Sequence, residues 1–156
     1  MAADLWTFSL AFYARPGVAS ACLQCQDEAG ADVNLVLFLL WQAGVGARFT
    51  SDEIAVIDHD VREWREQAVR PLRAVRRYLK GQGQDGLRDQ VKAAELQAER
   101  VQQEALSRHG RPANSAPAAE AARANVDAYA IVLGCPLPQT AAEVLLAAFG
   151  QHGDRA

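Results

Sequence analysis

The segment DVNLVLFLLW, residues 32–41, constrains this chain more than any other feature. A helix with that sequence has no polar face, so it is stable in water only where other elements cover every side. Its longest apolar run, Leu35 to Trp41, falls well short of the ~20 residues a membrane span needs. The cover must therefore be protein. A chain of 156 residues is about one ordinary domain and long enough to bury a core without staples. Together these predict a single all-α domain over residues 1–150, a bundle of six to seven helices around a central helix at about 33–42. Residues 151–156 read as a frayed tail.

The rest of the sequence agrees with helices. Almost no stretch alternates apolar and polar residues, and 31 alanines stand against 11 glycines and 6 prolines. Asp4 is a plausible cap for a first helix that Arg15-Pro16-Gly17 stops. A second helix runs from about Val18 to Glu28. Asp32 caps the central one, and Gly44 and Gly46 end it. Thr50 and Glu53 have capping-box spacing and open a helix whose Ile54, Ile57, Val61, Trp64 and Ala68 share about 80° of its circumference. Pro71 removes a hydrogen bond from that helix and predicts a kink or restart near Val69-Arg70. Asp85 to His109 reads as a long polar helix with a narrow inward stripe of Leu87, Val91, Ala94, Ala98, Val101 and Ala105. GRPANSAP, residues 110–117, reads as an exposed linker open to proteases. Two helices follow: about Ala118 to Leu133, with Ala122, Val126, Tyr129 and Leu133 inward, and one opened by a capping box at Thr140 and Glu143.

Charge and cysteine usage narrow the function classes. A net charge of −3 excludes a generally basic nucleic-acid binder. Three cysteines without an export signal argue against a disulfide framework. The expectation is a cytoplasmic protein with no membrane association.

LWTFSLAFYARPGVASACLQCQD, followed by GADVNLVLFLLWQAG, resembles an uncharacterised family of small bacterial helical proteins of unknown function. The likeness is strongest from Leu5 to Gly44 and continues more loosely through Trp64 and the Arg-Pro-Leu-Arg segment at 70–73. It implies no activity, ligand or catalytic residue, so function has to be read from the residues.

Four constellations carry chemistry. The first is cationic: Arg70, Arg73, Arg76, Arg77 and Lys80 span about 120° of one helix face, with no acid between Gln67 and Gln84. Forked guanidinium donors suit phosphate or carboxylate. The face could hold an acidic protein partner, an anionic ligand or, with less support because no Gly-rich loop or aromatic series accompanies it, RNA. The bland alternative is pairing with acids of the same fold, supplied by the preceding helix. The second is polar: Asp27, Asp32 and Asn34 beside the apolar helix, with His59 as a supply of further chemistry, could line a pocket. In the bland reading Asp32 caps its helix and Asn34 braces a loop. The third, Asp58-His59-Asp60, reads as a surface ion pair and matches no metal spacing. The fourth, Cys22 and Cys25, has redox spacing but lies mid-helix, where cysteine is usually a small apolar side chain.

No Walker loop, dinucleotide glycine pattern or nucleophile elbow is present. The sequence therefore favours a non-enzymatic binding or accessory protein using the face at 70–80, with no catalytic residue, metal or cofactor assigned. The alternative is a small-molecule-binding bundle or enzyme with a pocket near Asp27, Asp32, Asn34 and His59.

Overall fold

A computed structural model describes residues 3–151. The central segment forms α3 (Val33–Ala43), buried along nearly its whole length. Around it lie α1 (Leu5–Tyr13), α2 (Val18–Ala29), α4 (Ser51–Trp64), α5 (Arg70–Leu79), α6 (Asp85–Ser107), α7 (Ala118–Leu133) and α8 (Gln139–Gly150). A π-turn, Arg65–Val69, joins α4 to α5, so the two form one rod and the described residues make seven rods. No strand occurs among them, and no helix among them is long and apolar enough to cross a membrane. The all-α bundle around the helix at 33–42 is thus what the chain forms. Of the expected tail at 151–156, Gln151 forms the C-cap of α8, and 152–156 lie outside the described residues.

Local signals place several helix ends. Thr7 N–H donates to Asp4 Oδ1 at 2.7 Å, Asn34 N–H donates to Asp32 Oδ1 at 2.9 Å, and the Thr50–Glu53 capping box closes in both directions. At the expected restart Pro71 cannot donate to the Gln67 carbonyl. The backbone widens just before it: Arg70 N–H reaches back five residues to Arg65 O, a π-type bond.

Four expectations need correction. Trp64 was placed on the buried stripe, yet it is 42% exposed, its Nε1 donating to Ala98 O. Trp64 stands at the edge of that stripe, about 80° from Ile54, and Arg65, nearer its centre, takes the buried face with Val69. The inward stripe of α6 is also different: Leu87 and Val101 are exposed, while Glu95, Ala98, Gln102, Gln103 and Leu106 are buried. Polar partners on α3 and α5 draw that face inward, which hydrophobic spacing cannot show. The segment at 110–117 is exposed and irregular as expected, but it is held at two points. Arg111 N–H donates to Gln42 Oε1 and Asn114 N–H to Val45 O, each at 2.7 Å. Arg111 also lies over the Phe49 ring at 4.3 Å and pairs with Glu53. Finally, α8 starts at Gln139 behind Pro138 with no side-chain cap, so Thr140 does not open a capping box.

Candidate ligand-binding cleft

One carboxylate organises the polar interior. Asp32, at the N-cap of α3, uses Oδ1 for its own helix and Oδ2 for two long-range donors, Arg65 Nη1 at 2.9 Å and Gln102 Nε2. Its backbone N–H donates to Tyr129 Oη at 2.9 Å. Arg65 also donates to Asp58 Oδ1 at 2.8 Å, and all three charged side chains are nearly buried. Burial alone would lower the Arg65 pKa, but the hydrogen bonds and charges of Asp32 and Asp58 outweigh it and raise it. Burial pushes the Tyr129 phenol up, and the nearby Asp32 adds to the effect. Asp58, read from sequence as part of a surface triplet, is therefore half of a buried ionic centre. Exposed His59 takes no part in it.

The centre continues as a directional chain of amides. A carboxylate only accepts, so Gln102 must turn its NH2 toward Asp32. Its Oε1 then accepts from Asn34 Nδ2 at 3.2 Å, and Asn34 Oδ1 accepts from Gln103 Nε2 at 3.0 Å. Every N–H in the chain points toward Asp32, so the carbonyl Gln103 Oε1 faces the other way. Asn34 thus braces α6, not a loop.

That outer end borders a cleft of about 670 Å³ formed by α1, α3 and α6, with the end of α5 and Leu23 of α2 beside it. Volumes of about 300–1,000 Å³ are usual for small-molecule sites. Along α6 the lining changes in character: Arg88 and Lys92 come first, Glu95, Leu96 and Glu99 follow, and Gln103 is last. From Arg88 to Gln103 the helix rises about 22 Å. Arg76, Arg77 and Lys80 add cations near the first end, because α5 and α6 form an antiparallel hairpin. Leu10, Tyr13, Leu23 and Leu96, all large and exposed, line the walls with Trp6 and Leu37.

Unsatisfied polar atoms concentrate here. Among the described residues four buried side-chain atoms lack a hydrogen-bond partner: Ser9 Oγ, Arg65 Nε, Arg88 Nε and Gln103 Oε1. Three of these belong to residues of the cleft wall. Orphaned buried polar atoms are uncommon and cost free energy, so their convergence singles this place out.

The residues singled out from sequence divide accordingly. Arg70 pairs with Glu66, Arg73 with Glu95 and Glu99, Arg76 with Glu95, and Arg77 with exposed Asp27 at 3.6 Å. The acids for Arg73 and Arg76 come from α6, not from the preceding helix. Glu95 raises the Arg76 pKa through its hydrogen bond, and burial raises that of Glu99. Lys80 makes no ion pair among the described residues, and neither do Arg88 and Lys92. The four residues expected around one pocket are not gathered. Asn34 lines the cleft, Asp32 lies behind it in the amide chain, and Asp27 and His59 stand outside its wall. Ser9, Arg88, Lys92 and Gln103 were missed. A lone serine on an apolar helix and a glutamine in a polar one give no periodic signal.

Cys22 and Cys25 are buried, and burial pushes their thiols up to about 12 and about 11. No metal-holding group of His, Cys, Asp or Glu occurs among the described residues. Since the thiolate is the reactive form, iodoacetamide at pH 8 is expected to label Cys135 before the other two. Cys22 and Cys25 should be labelled at comparable rates only in denaturant. Mass mapping of the alkylated cysteines reads this directly, and rapid native labelling of Cys22 would contradict it.

Among known families, residues 4–106, more than half of the chain, match the model described as protein of unknown function (DUF2390). No curated protein and no solved structure matches. The match ends at Leu106, so α7 and α8 lie beyond it.

Proposed function

Because this chain belongs to the DUF2390 family, whose description assigns no function, we propose its role from the cleft itself: it is a binding protein that holds a small anionic amphiphile. The carrying observation is the convergence of Ser9, Arg88 and Gln103, each with an orphaned polar atom, on one cleft with a cationic end. Five cations line it against two carboxylates. One of those, Glu95, is already held by Arg73 and Arg76. The four exposed apolar side chains on its walls suit an apolar body. The unpaired Lys80, Arg88 and Lys92 suit a carboxylate or phosphate head. Binding is favoured over catalysis because these groups hold rather than react. Glu99, the other carboxylate, pairs with Arg73 at 3.0 Å.

An acidic protein partner on the face at 70–80 has less support. Arg70, Arg73 and Arg76 spend their donors on the fold's own carboxylates. Arg73 is in addition a poor place for a charge reversal, which would break its pairs with Glu95 and Glu99.

Reversing charge at Arg88 and Lys92 is the cleaner test, since neither carries an ion pair. The double variant Arg88→Glu/Lys92→Glu is expected to keep the wild-type helical circular dichroism. Its affinity for dodecanoate, measured by calorimetry, should fall roughly tenfold to a hundredfold, in line with the loss of charge-assisted hydrogen bonds. Wild-type affinity should also weaken as salt rises. Unchanged affinity in the folded variant would refute this reading.

A further inference from the structure

We infer that the ligand of this cleft carries a hydrogen-bond donor, a hydroxyl or an ammonium, at the end opposite its anionic head, and that Gln103 Oε1 receives it. This rests on the cleft being a binding site and adds what the far end of the molecule must be.

The argument is one of direction. An isolated buried glutamine can turn its amide either way, presenting oxygen or nitrogen to a neighbour. Gln103 cannot. Arg65 holds the Asp32 carboxylate, which accepts from Gln102. Gln102 therefore accepts from Asn34, and Asn34 accepts from Gln103. Turning Gln102 or Asn34 would set oxygen against oxygen and nitrogen against nitrogen at two successive contacts, and turning Gln103 would set its oxygen against Asn34 Oδ1. The ion pair thereby fixes which atom the last amide leaves over, and that atom is an acceptor.

Gln103 is 3% exposed, and its Oε1 has no partner. An acceptor in that condition is matched by a donor and by nothing else. A methyl end would leave the carbonyl desolvated, and a second carboxylate would oppose it. Ser9, 4% exposed with its Oγ also orphaned, can accept the same donor or, if the donor is a hydroxyl, give a proton back. Glu99 lies one helical turn from Gln103 and lines the same wall, but Arg73 already pairs with it, so it does not choose between the two donors. The cations begin at Lys92, about 16 Å away along the α6 axis and close to the extended length of a twelve-carbon chain, and continue to Arg88. Head and donor therefore belong at opposite ends of an elongated molecule.

Four probes of one chain length test this in calorimetry with the full-length protein: dodecanoate and its ω-hydroxy, ω-amino and ω-methoxy counterparts. Expected is binding of dodecanoate, with a gain of about fivefold to tenfold from a terminal donor, the size of one net hydrogen bond. The methoxy probe, which accepts but cannot donate, should gain nothing. A larger gain for the amine assigns an ammonium, and a larger gain for the alcohol assigns a hydroxyl. Gln103→Met should erase the gain, read as the ratio of ω-hydroxy or ω-amino probe to dodecanoate affinity within that same variant. Ser9→Ala, which disturbs no other contact in the amide chain, should reduce it. Dodecanoate binding with no gain from either donor would overturn the inference and leave the cleft reading standing. So would an equal gain from methoxy, or a gain that survives Gln103→Met. Failure of all four probes to bind the wild-type protein would overturn the cleft reading itself.

Discussion

Replacing Arg65 with leucine is expected to lower the free energy of unfolding by about 3–5 kcal/mol, the usual cost of leaving a buried charge without its partner. Arg65 is flanked by two carboxylates whose side chains are 6% and 12% exposed, so its removal leaves two such charges, at 2.9 and 2.8 Å from where the guanidinium stood. Each would have to take up a proton or draw in water. Urea titration followed by tryptophan fluorescence measures the effect as a lower midpoint at unchanged slope. A loss below about 1 kcal/mol would put this pair among surface ion pairs in energetic terms. Arg65→Lys should recover only part of the loss. Both contacts come from one nitrogen, Nη1, which an ammonium can imitate, but the lysine head does not hold its hydrogens in a fixed plane. The variant also touches function. Without Arg65 the Asp32 carboxylate is less firmly held, and the orientation it imposes on Gln102, Asn34 and Gln103 weakens with it.

Arg65 also shows where sequence reading stops. Periodicity gave the central helix, because a segment like VNLVLFLLW has only one use in water. It gave the caps at Asp4, Asp32 and Thr50, because capping is local chemistry within four residues. It gave the site of the disruption before Pro71. It could not give the kind of disruption. A π-turn inserts one residue into the helical repeat, and from that point every stripe drawn at 100° per residue is out of register. Trp64, which precedes the π-turn, is a separate matter: it lies at the edge of its stripe, about 80° from Ile54, whereas Arg65 stands about 20° from Ile54. The cleft was half legible. The cationic residues and Asn34 were identified, but as two separate proposals, because sequence does not say that α5 and α6 fold back to place Arg76, Arg77 and Lys80 beside the wall that contains Asn34. The amide chain was not legible at all. Gln102 and Gln103 read as part of a solvated face, and only long-range contact with Asp32 and Asn34 makes them interior.

Asn125→Leu is the second substitution expected to have a large effect, about 2–6 kcal/mol from two orphaned backbone groups at about 1–3 kcal/mol each. Asn125 is fully buried on α7. Its Oδ1 accepts from Phe49 N–H at 2.9 Å, and its Nδ2 donates to Ala47 O at 3.0 Å and Leu39 O at 3.1 Å. Ala47 and Phe49, the two groups that lose their partner, lie where the chain leaves α3 and turns into α4, whereas Leu39 lies within α3. Leucine keeps the branched skeleton of asparagine, so no cavity opens, and its bulkier methyls add to the cost of the lost hydrogen bonds. Ala47 and Phe49 are 2% and 4% exposed, which leaves water little access to replace the lost side chain. The signature should be local as well as global. In native-state hydrogen exchange the Phe49 amide is expected to lose protection, whereas the Asn34 amide, held by Asp32, should change only as much as global stability does. Equal loss at both amides would mean that Asn125 contributes to the core generally and not to this turn. The result also bears on how much chain the fold needs. Asn125 and Tyr129 lie beyond residue 106, where the family match ends. Yet between them they satisfy the backbone at Ala47, Phe49 and Asp32. A large loss in Asn125→Leu would show that α7 completes the core of the matched segment, and that the helix carrying Asp32 and Asn34 depends on it for its position.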